Sequence, residues 1–287
     1  MTDCPRGRAR LGRPVAVIAL GLAVSACGSG LPGPAPSSAP LTAQPSAPAP
    51  SASPVPAAQT PSPSPPAEPL AGKVIGIDPG HNGGNFADPG AINRQVWNGR
   101  EWESCDTTGT DTVSGYTEAL FNFNVARYLR ADLRRDGARV VMTRTTNHGV
   151  GPCVDRRAQI INQAAANVAI DIHADGGPST GRGFTVLEPV ADGPNDSVVA
   201  SSQQFGRDVR QSFLAGTAMP VSTYEGVNGI MPRNDLAGLN LTRVPKVLVE
   251  CGNMRNGTDA SLLVSGRFQR QVAGVLTAAI IRFLGAA

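Results

Sequence analysis

The chain has 287 residues and a formal net charge of +3. Residues 1–26 carry Arg6, Arg8, Arg10 and Arg13 against Asp3, which equals that whole excess, so the remainder is neutral. A neutral remainder without a basic patch argues against a nucleic-acid partner.

The four arginines precede an apolar run, Val15 to Val24, that is too short for a permanent transmembrane helix. Val24-Ser25-Ala26-Cys27 follows. Small residues before a cysteine resemble the lipobox of bacterial lipoproteins. Residues 1–26 are therefore expected to be a signal peptide and Cys27 a lipidated first residue, with plain secretion as the alternative. Fourteen of the 25 prolines lie between Leu31 and Leu70, where Glu68 is the only charged residue and no aromatic occurs. Such a tract cannot bury enough apolar surface to fold, so residues 27–70 read as a Pro/Ala/Ser-rich linker and 71–287 as one domain.

Within that domain, strand-like and helix-like segments alternate. Lys73–Ile77 is a β-branched run ending in the turn signal Asp78-Pro79-Gly80. Residues 85–115 are loop-like. A helix is predicted from Thr117 to Arg135, with Leu120, Phe123, Leu129 and Leu133 as its apolar stripe and Gly137 as its stop. Arg139–Met142 is a strand, and Asp155 opens a helix carrying Ala158, Ile161 and Ala165. Val168–Ile172 and Phe184–Leu187 are strands, Asp196–Phe213 a helix, Val247–Glu250 a strand and Ala260–Leu284 a helix. This order implies βαβ crossovers and a three-layer α/β domain around a largely parallel sheet.

Two of the three histidines, His81 and His173, fall just past predicted strand ends, and Glu250 closes a third strand. In an open parallel sheet those ends share one edge, where active sites form. Two imidazoles and a carboxylate suit a catalytic zinc ion with one position left for water. Glu118 is the best-placed third ligand, although a first-turn glutamate is also what the helix dipole favours. Glu101, Glu103, Asp106 and Asp111 compete with it. Glu250 would serve as general base to a zinc-activated water. Gly177-Pro178-Ser179-Thr180-Gly181 leads into a predicted strand rather than a helix, so the chain has no strand-to-helix G-x-S-x-G elbow of a serine hydrolase, and the absence of HExxH argues against the common helical metalloproteases. Cys105 and Cys153 sit in loop sequence destined for an oxidising compartment and are expected to pair. Cys251, after an apolar strand, is expected to be buried and free.

Asp78-Pro79-Gly80-His81-Asn82-Gly83-Gly84, Glu118 with Asn122, Val140 to Arg144, Asp171-Ile172-His173-Ala174-Asp175, and Val247 to Asn253 with Asn256 form an ordered set. It resembles the zinc-dependent N-acetylmuramoyl-L-alanine amidases, most closely their mycobacterial and other actinobacterial periplasmic forms. The resemblance spans about residues 73–285. It implies a mixed or parallel sheet of about six strands with helices on both faces. It further implies one zinc ion per chain held by His81, Glu118 and His173, with Glu250 as the catalytic glutamate. The substrate implied is peptidoglycan or its muropeptides, cut between N-acetylmuramic acid and L-alanine. Asn82, Asn85 and Arg233 are candidate substrate contacts. Asn82 also departs from the Gly-His-Gly-Gly of many relatives. The expected partners are the cell wall and, through Cys27 alone, the membrane, with the chain a monomer on the outer side. A zinc peptidase or deacetylase on wall substrates, or an inactive wall-binding lipoprotein, are the alternatives. The last has no use for a general base.

Overall fold

A computed structural model describes residues 68–285. The signal and anchor expectations, Cys27 included, lie outside them. Leu70 is fully buried, and its amide bonds to Asp136 O. Packing therefore begins one residue before the expected boundary at 71.

The elements in chain order are β1 (Val74–Pro79), α1 (Pro89–Ile92), β2 (Gln95–Trp97), β3 (Trp102–Ser104), α2 (Glu118–Arg135), β4 (Arg139–Met142), α3 (Val154–Gln163), β5 (Val168–Asp175), β6 (Thr185–Pro189), α4 (Val199–Gly216), β7 (Ile230–Arg233), α5 (Ala237–Asn240), β8 (Lys246–Asn253), α6 (Gly257–Leu263) and α7 (Gly266–Gly285). Six strands form one sheet in the order β4-β1-β5-β8-β6-β7. β4, β1, β5 and β8 are parallel neighbours, whereas β6 runs antiparallel to β8. The sheet is thus mixed, and its helices lie on both faces.

Strand alternation divides the sheet into two unlike faces. Ile75, Ile77, Ile170, Ile172, Val247 and Val249 point one way and pack under α2, α4 and α7 in the main core. The reverse face begins with small and apolar residues, Gly76 and Ala169 against Ile161 of α3, and Leu248 against Leu239 of α5. Toward the C-terminal strand ends it turns polar, with Asp78, Asp171, His173 and Glu250 on the alternate positions, and Lys246, at the start of β8, reaches Asp78 and Asp171 on the same face.

The structure amends several predicted elements. The core stripe of α2 is Phe121, Val125, Leu129 and Leu133, four residues apart, and Leu120 and Phe123 are only half-buried. Phe123 instead lies under the Arg144 guanidinium at 5.0 Å. Ala165 falls beyond the end of α3, exposed, at a positive φ of 49°. The predicted terminal helix is two: Asn256 caps α6 by accepting from the Thr258 and Asp259 amides, and the chain breaks before α7. The 85–115 loop contains α1 and the β2–β3 hairpin.

Candidate active site

β5 and β8 deliver two groups side by side, because His173 and Glu250 are register partners on these neighbouring strands. Glu118 arrives from the first turn of α2, whose cap Thr117 accepts from the Leu120 amide. His81 follows β1 in the left-handed region, with φ 58°. The Glu118 carboxylate stands between the two imidazoles, 3.3 Å from His81 Nε2 and 2.8 Å from His173 Nδ1. One ligating atom from each of the three residues lies within 4.8 Å of the other two, the one such cluster among the described residues.

Two glycines make room for this convergence. A Cβ on Gly80 would stand 2.1 Å from the His173 ring. A Cβ on Gly109, already at φ +70°, would stand 2.7 Å from both Glu118 Oε2 and the His81 ring. Neither ring could move aside without leaving the cluster.

Each imidazole has a carboxylate behind it. His81 Nδ1 donates to Asp106 Oδ1 at 3.2 Å, and His173 Nε2 lies 3.4 Å from Asp171 Oδ1. Asp106 Oδ2 accepts from Arg157, which also reaches Asp78; Asp78 meets Lys246, and Lys246 stands 3.5 Å from Asp171. A buried chain of alternating charge, Asp106–Arg157–Asp78–Lys246–Asp171, therefore runs from the rear of one histidine to the rear of the other. Carboxylates behind metal-ligating imidazoles fix ring orientation and raise ligand basicity. Arg144 anchors the same corner by donating to Pro79 O, Gly80 O and Ala119 O, which pins the turn before His81 to the residue after Glu118. Burial, without a carboxylate in contact, lowers its pKa to about 9.

The charges are mutually dependent. Burial pushes the Glu118 carboxyl up, but His81 and His173 outweigh it and hold it well below the ordinary range. Burial pushes His81 down, but Glu118 and Asp106 lift it to about 9. His173 is likewise held well above its ordinary value by Asp171 and Glu118 in spite of burial. Glu250 moves the other way from Glu118. Burial raises it, the carboxylates of Glu118, Asp175 and Glu225 add to that, and His173 opposes them. Its Oε2 is buried with no hydrogen-bond partner. The open side is a cleft of about 420 Å³ lined by His81, Glu118, His173, Arg233 and Glu250. A second cavity of about 200 Å³ lies on the side of Asp106 and Asp171 and is walled by Glu103 and Leu236.

The family model described as N-acetylmuramoyl-L-alanine amidase matches residues 75–282, which takes in every group of this cleft. The chain belongs to that family. The amidase is 40% identical over 222 residues to an N-acetylmuramoyl-L-alanine amidase of Mycobacterium tuberculosis, covering 75% of this chain and 88% of that one. The crystal structure of the N-acetylmuramyl-L-alanine amidase Ami1 from Mycobacterium smegmatis matches with a TM-score of 0.72 at 40% identity, over 76% of this chain and 99% of that one. The apo Ami1 of Mycobacterium abscessus matches with a TM-score of 0.71 at 39% identity, over 75% and all of that chain.

His81, Glu118, His173 and Glu250 of the amidase converge as the sequence suggested, and Arg233 reaches the cleft, paired with Asp235 at 2.7 Å. Asn82 and Asn85 do not fit as free substrate contacts. Asn82 is 4% exposed and donates to His148 O and Gly149 O; Asn85 is fully buried between Thr107 O and the Gly151 amide. Both pin the loop after β1 from inside. Of the competing carboxylates, Asp106 backs His81, Glu103 accepts from the Ala237 amide, and Asp111 pairs with Arg255. Cys105 and Cys153 are bonded, and Cys251 is buried and free. Sequence reasoning missed Asp106, Asp171, Lys246 and Arg157 as supports. Lys246, in the apolar run from Val244 to Val249, was the visible signal.

Proposed function

We propose that this amidase hydrolyses the bond between N-acetylmuramic acid and L-alanine in peptidoglycan with one zinc ion held by His81, Glu118 and His173 and with Glu250 as general base. The observation that carries the reading is the convergence of two imidazole nitrogens and a carboxylate opposite a buried carboxylate with an unpartnered oxygen. The donor set suits the ion: two histidines and one carboxylate, each imidazole backed by a further carboxylate, in a cradle that Gly80 and Gly109 keep open. Bound zinc supplies Lewis acidity, polarising a carbonyl and bringing the pKa of a water to about 7.

The protein's own groups do the rest. Glu250 takes the proton of the attacking water and returns it to the departing amide nitrogen. Burial and neighbouring carboxylates make it a stronger base than an exposed glutamate, and the same proton is then available to the leaving group. Asp106 and Asp171 keep the His81 and His173 rings in their tautomers. Their protons compete with the metal, so occupancy falls as the pH is lowered. Arg233, on the cleft wall, is the cation placed to meet an anionic group of the stem peptide.

The substrate places the enzyme outside the cytoplasmic membrane, and no described helix is long and apolar enough to cross one. Residues 1–26 as signal peptide, Cys27 as a lipid anchor and 27–70 as a spacer complete the reading, with the catalytic domain acting as a monomer. The full chain, incubated with a muropeptide and read by mass spectrometry, should release a stem peptide with a free L-alanine amine. A chelator should stop this and zinc restore it. Released acetate would indicate a deacetylase, and a cut within the stem a peptidase.

A further inference from the structure

We propose that the β2–β3 hairpin carries a glycan-binding site that holds the acetamido-sugar strand of the polymeric substrate beside the cleft. The proposal rests on the peptidoglycan reading above. The chain contains two tryptophans, and both stand on this hairpin as direct cross-strand partners, Trp97 opposite Trp102. They are 46% and 65% exposed, with ring centroids 5.6 Å apart. Bare indoles at this exposure are unfavourable unless something covers them, and paired ones mark a contact surface.

Strand alternation shows how this surface joins the site. With the indoles outward, Val96 and Glu103 point inward. Val96 packs on the Cys105–Cys153 disulfide, and Glu103 accepts from the Ala237 amide while walling the cavity beside His81 and His173. The indoles are thus one residue removed from the wall of that cavity, which shares His81 and His173 with the cleft. The turn is fixed as well. Asn98 is fully buried, its Oδ1 accepts the Arg100 and Glu101 amides, and its amide donates to Asp235 O. The rings are therefore presented on a firm support, which lowers the entropy lost on binding.

The chemistry beside them suits a neutral sugar. A groove of about 640 Å³ opens next to Trp97 over the outer side of α3, lined by the carboxamides of Gln159 and Gln163, by Asn162, whose own carboxamide is held by Leu241 O and the Arg243 amide, and by Asp155 and Arg243 as its two opposite charges. An indole face covers the C–H face of a pyranose, and carboxamides exchange hydrogen bonds with hydroxyl and acetamido groups. A nucleic acid or acidic polymer would need a cationic groove, which this is not. The bond cut joins a sugar to a peptide, so every polymeric substrate has a sugar strand leaving the cleft. A second point of attachment on that strand raises the effective concentration of scissile bonds.

Both tryptophans lie at the site, so intrinsic fluorescence reads its occupancy. The full chain is titrated with a peptide-free β-1,4-linked N-acetylglucosamine hexamer, which lacks the bond between N-acetylmuramic acid and L-alanine. A saturable change in emission is expected. Trp97→Ala/Trp102→Ala should reduce retention on purified sacculi about tenfold, the order lost when a tryptophan anchor is removed. The ratio of its rate on sacculi to its rate on N-acetylmuramoyl-L-alanyl-D-isoglutamine should fall by a similar factor. Trp97→Phe/Trp102→Phe, which keeps two ring faces, should recover part of both. Emission that ignores the hexamer, or responds only to free stem peptide, overturns the site, as does equal retention of wild type and double alanine variant. A wild type that cuts neither substrate refutes the amidase reading, and the fluorescence titration still decides the glycan site.

Discussion

Deleting the charge of Lys246 tests whether the buried chain behind the histidines holds the site together. Its Nζ is 2.9 Å from Asp78 Oδ2 and 3.5 Å from Asp171 Oδ2, and the side chain is 1% exposed. Lys246→Met keeps most of the apolar stem and removes the ammonium. Asp78 retains Arg157 at 3.1 Å and Thr143 Oγ1 at 2.6 Å. Asp171 retains only His173, so the variant leaves one buried carboxylate poorly compensated. Breaking a buried pair from one side typically costs about 3–5 kcal/mol, and the remaining partners of Asp78 place this case near 3 kcal/mol. For a domain of this size that corresponds to a Tm drop of roughly 6–12 °C. The pH dependence has a definite sign. Lys246, Arg157 and Thr143 hold the Asp78 carboxyl below the ordinary range against the effect of burial. The stability it contributes is therefore present above the unfolded pKa of about 4 and is lost as the pH falls below it. Melting followed by circular dichroism, with chelator present, should show the gap at pH 7 and a smaller one at low pH. Lys246→Met/Asp171→Asn should recover part of the loss, because it removes the stranded charge. Competition against a chelator should show zinc bound about tenfold to a hundredfold more weakly in Lys246→Met, through the loosened Asp171. A Lys246→Met protein melting within about 2 °C of wild type at pH 7, less than about 1 kcal/mol, would refute the argument.

Glu250→Gln should lower kcat by about a hundred to ten thousand-fold without loss of folded stability, since a buried carboxyl with raised pKa is unfavourable when ionised; a rate within threefold of wild type assigns Glu250 a structural role. Reducing Cys105–Cys153, which are 48 positions apart, should lower unfolding free energy by about 4 kcal/mol on the chain-entropy account. Coincident urea midpoints with and without reductant contradict that. Burial raises the Glu188 carboxyl to about 7, so its ionisation weakens the fold as pH climbs from the unfolded carboxylate value toward 7. Glu188→Gln should melt higher than wild type at pH 8 and alike at pH 4, and the reverse order rules the account out. Cys27→Ala should move the protein from the detergent phase to the aqueous phase, and if wild type is already aqueous with an unmodified cysteine, the anchor is wrong.

The parts of the site that follow from local pattern were legible in the sequence. His81 and His173 stood out because so few histidines occur and both adjoin β-branched runs. Glu118 needed the family resemblance, since a first-turn glutamate has an ordinary explanation in the helix dipole. What could not be read is non-local. Asp78 meets Arg157 across 79 positions and Lys246 across 168, and no sequence period records such pairings. β5 ran past its predicted end at Ile172 to Asp175 because this charge network accepts polar residues inside the sheet. The hairpin escaped notice because its strands are three residues long and of mixed polarity, which resembles a loop by composition. β7 was hidden by Pro232, a residue tolerated there because the strand is at the sheet edge. The break between α6 and α7 was missed because only Val264-Ser265 lies between two apolar helical segments.

β5 belongs to the core and to the catalytic centre at once: Ile170, Ile172 and Ala174 point into the one, Asp171, His173 and Asp175 toward the other. The two sets interleave along a single backbone, so neither can be edited by length. Inserting or deleting one residue between Val168 and Asp175 would exchange them, sending an imidazole and two carboxylates into the apolar layer. Point substitution is the only change this strand can absorb. Changes of length have to occur elsewhere, and exposed stretches such as 86–90, in the excursion between His81 and Glu118, are where the fold leaves room for them.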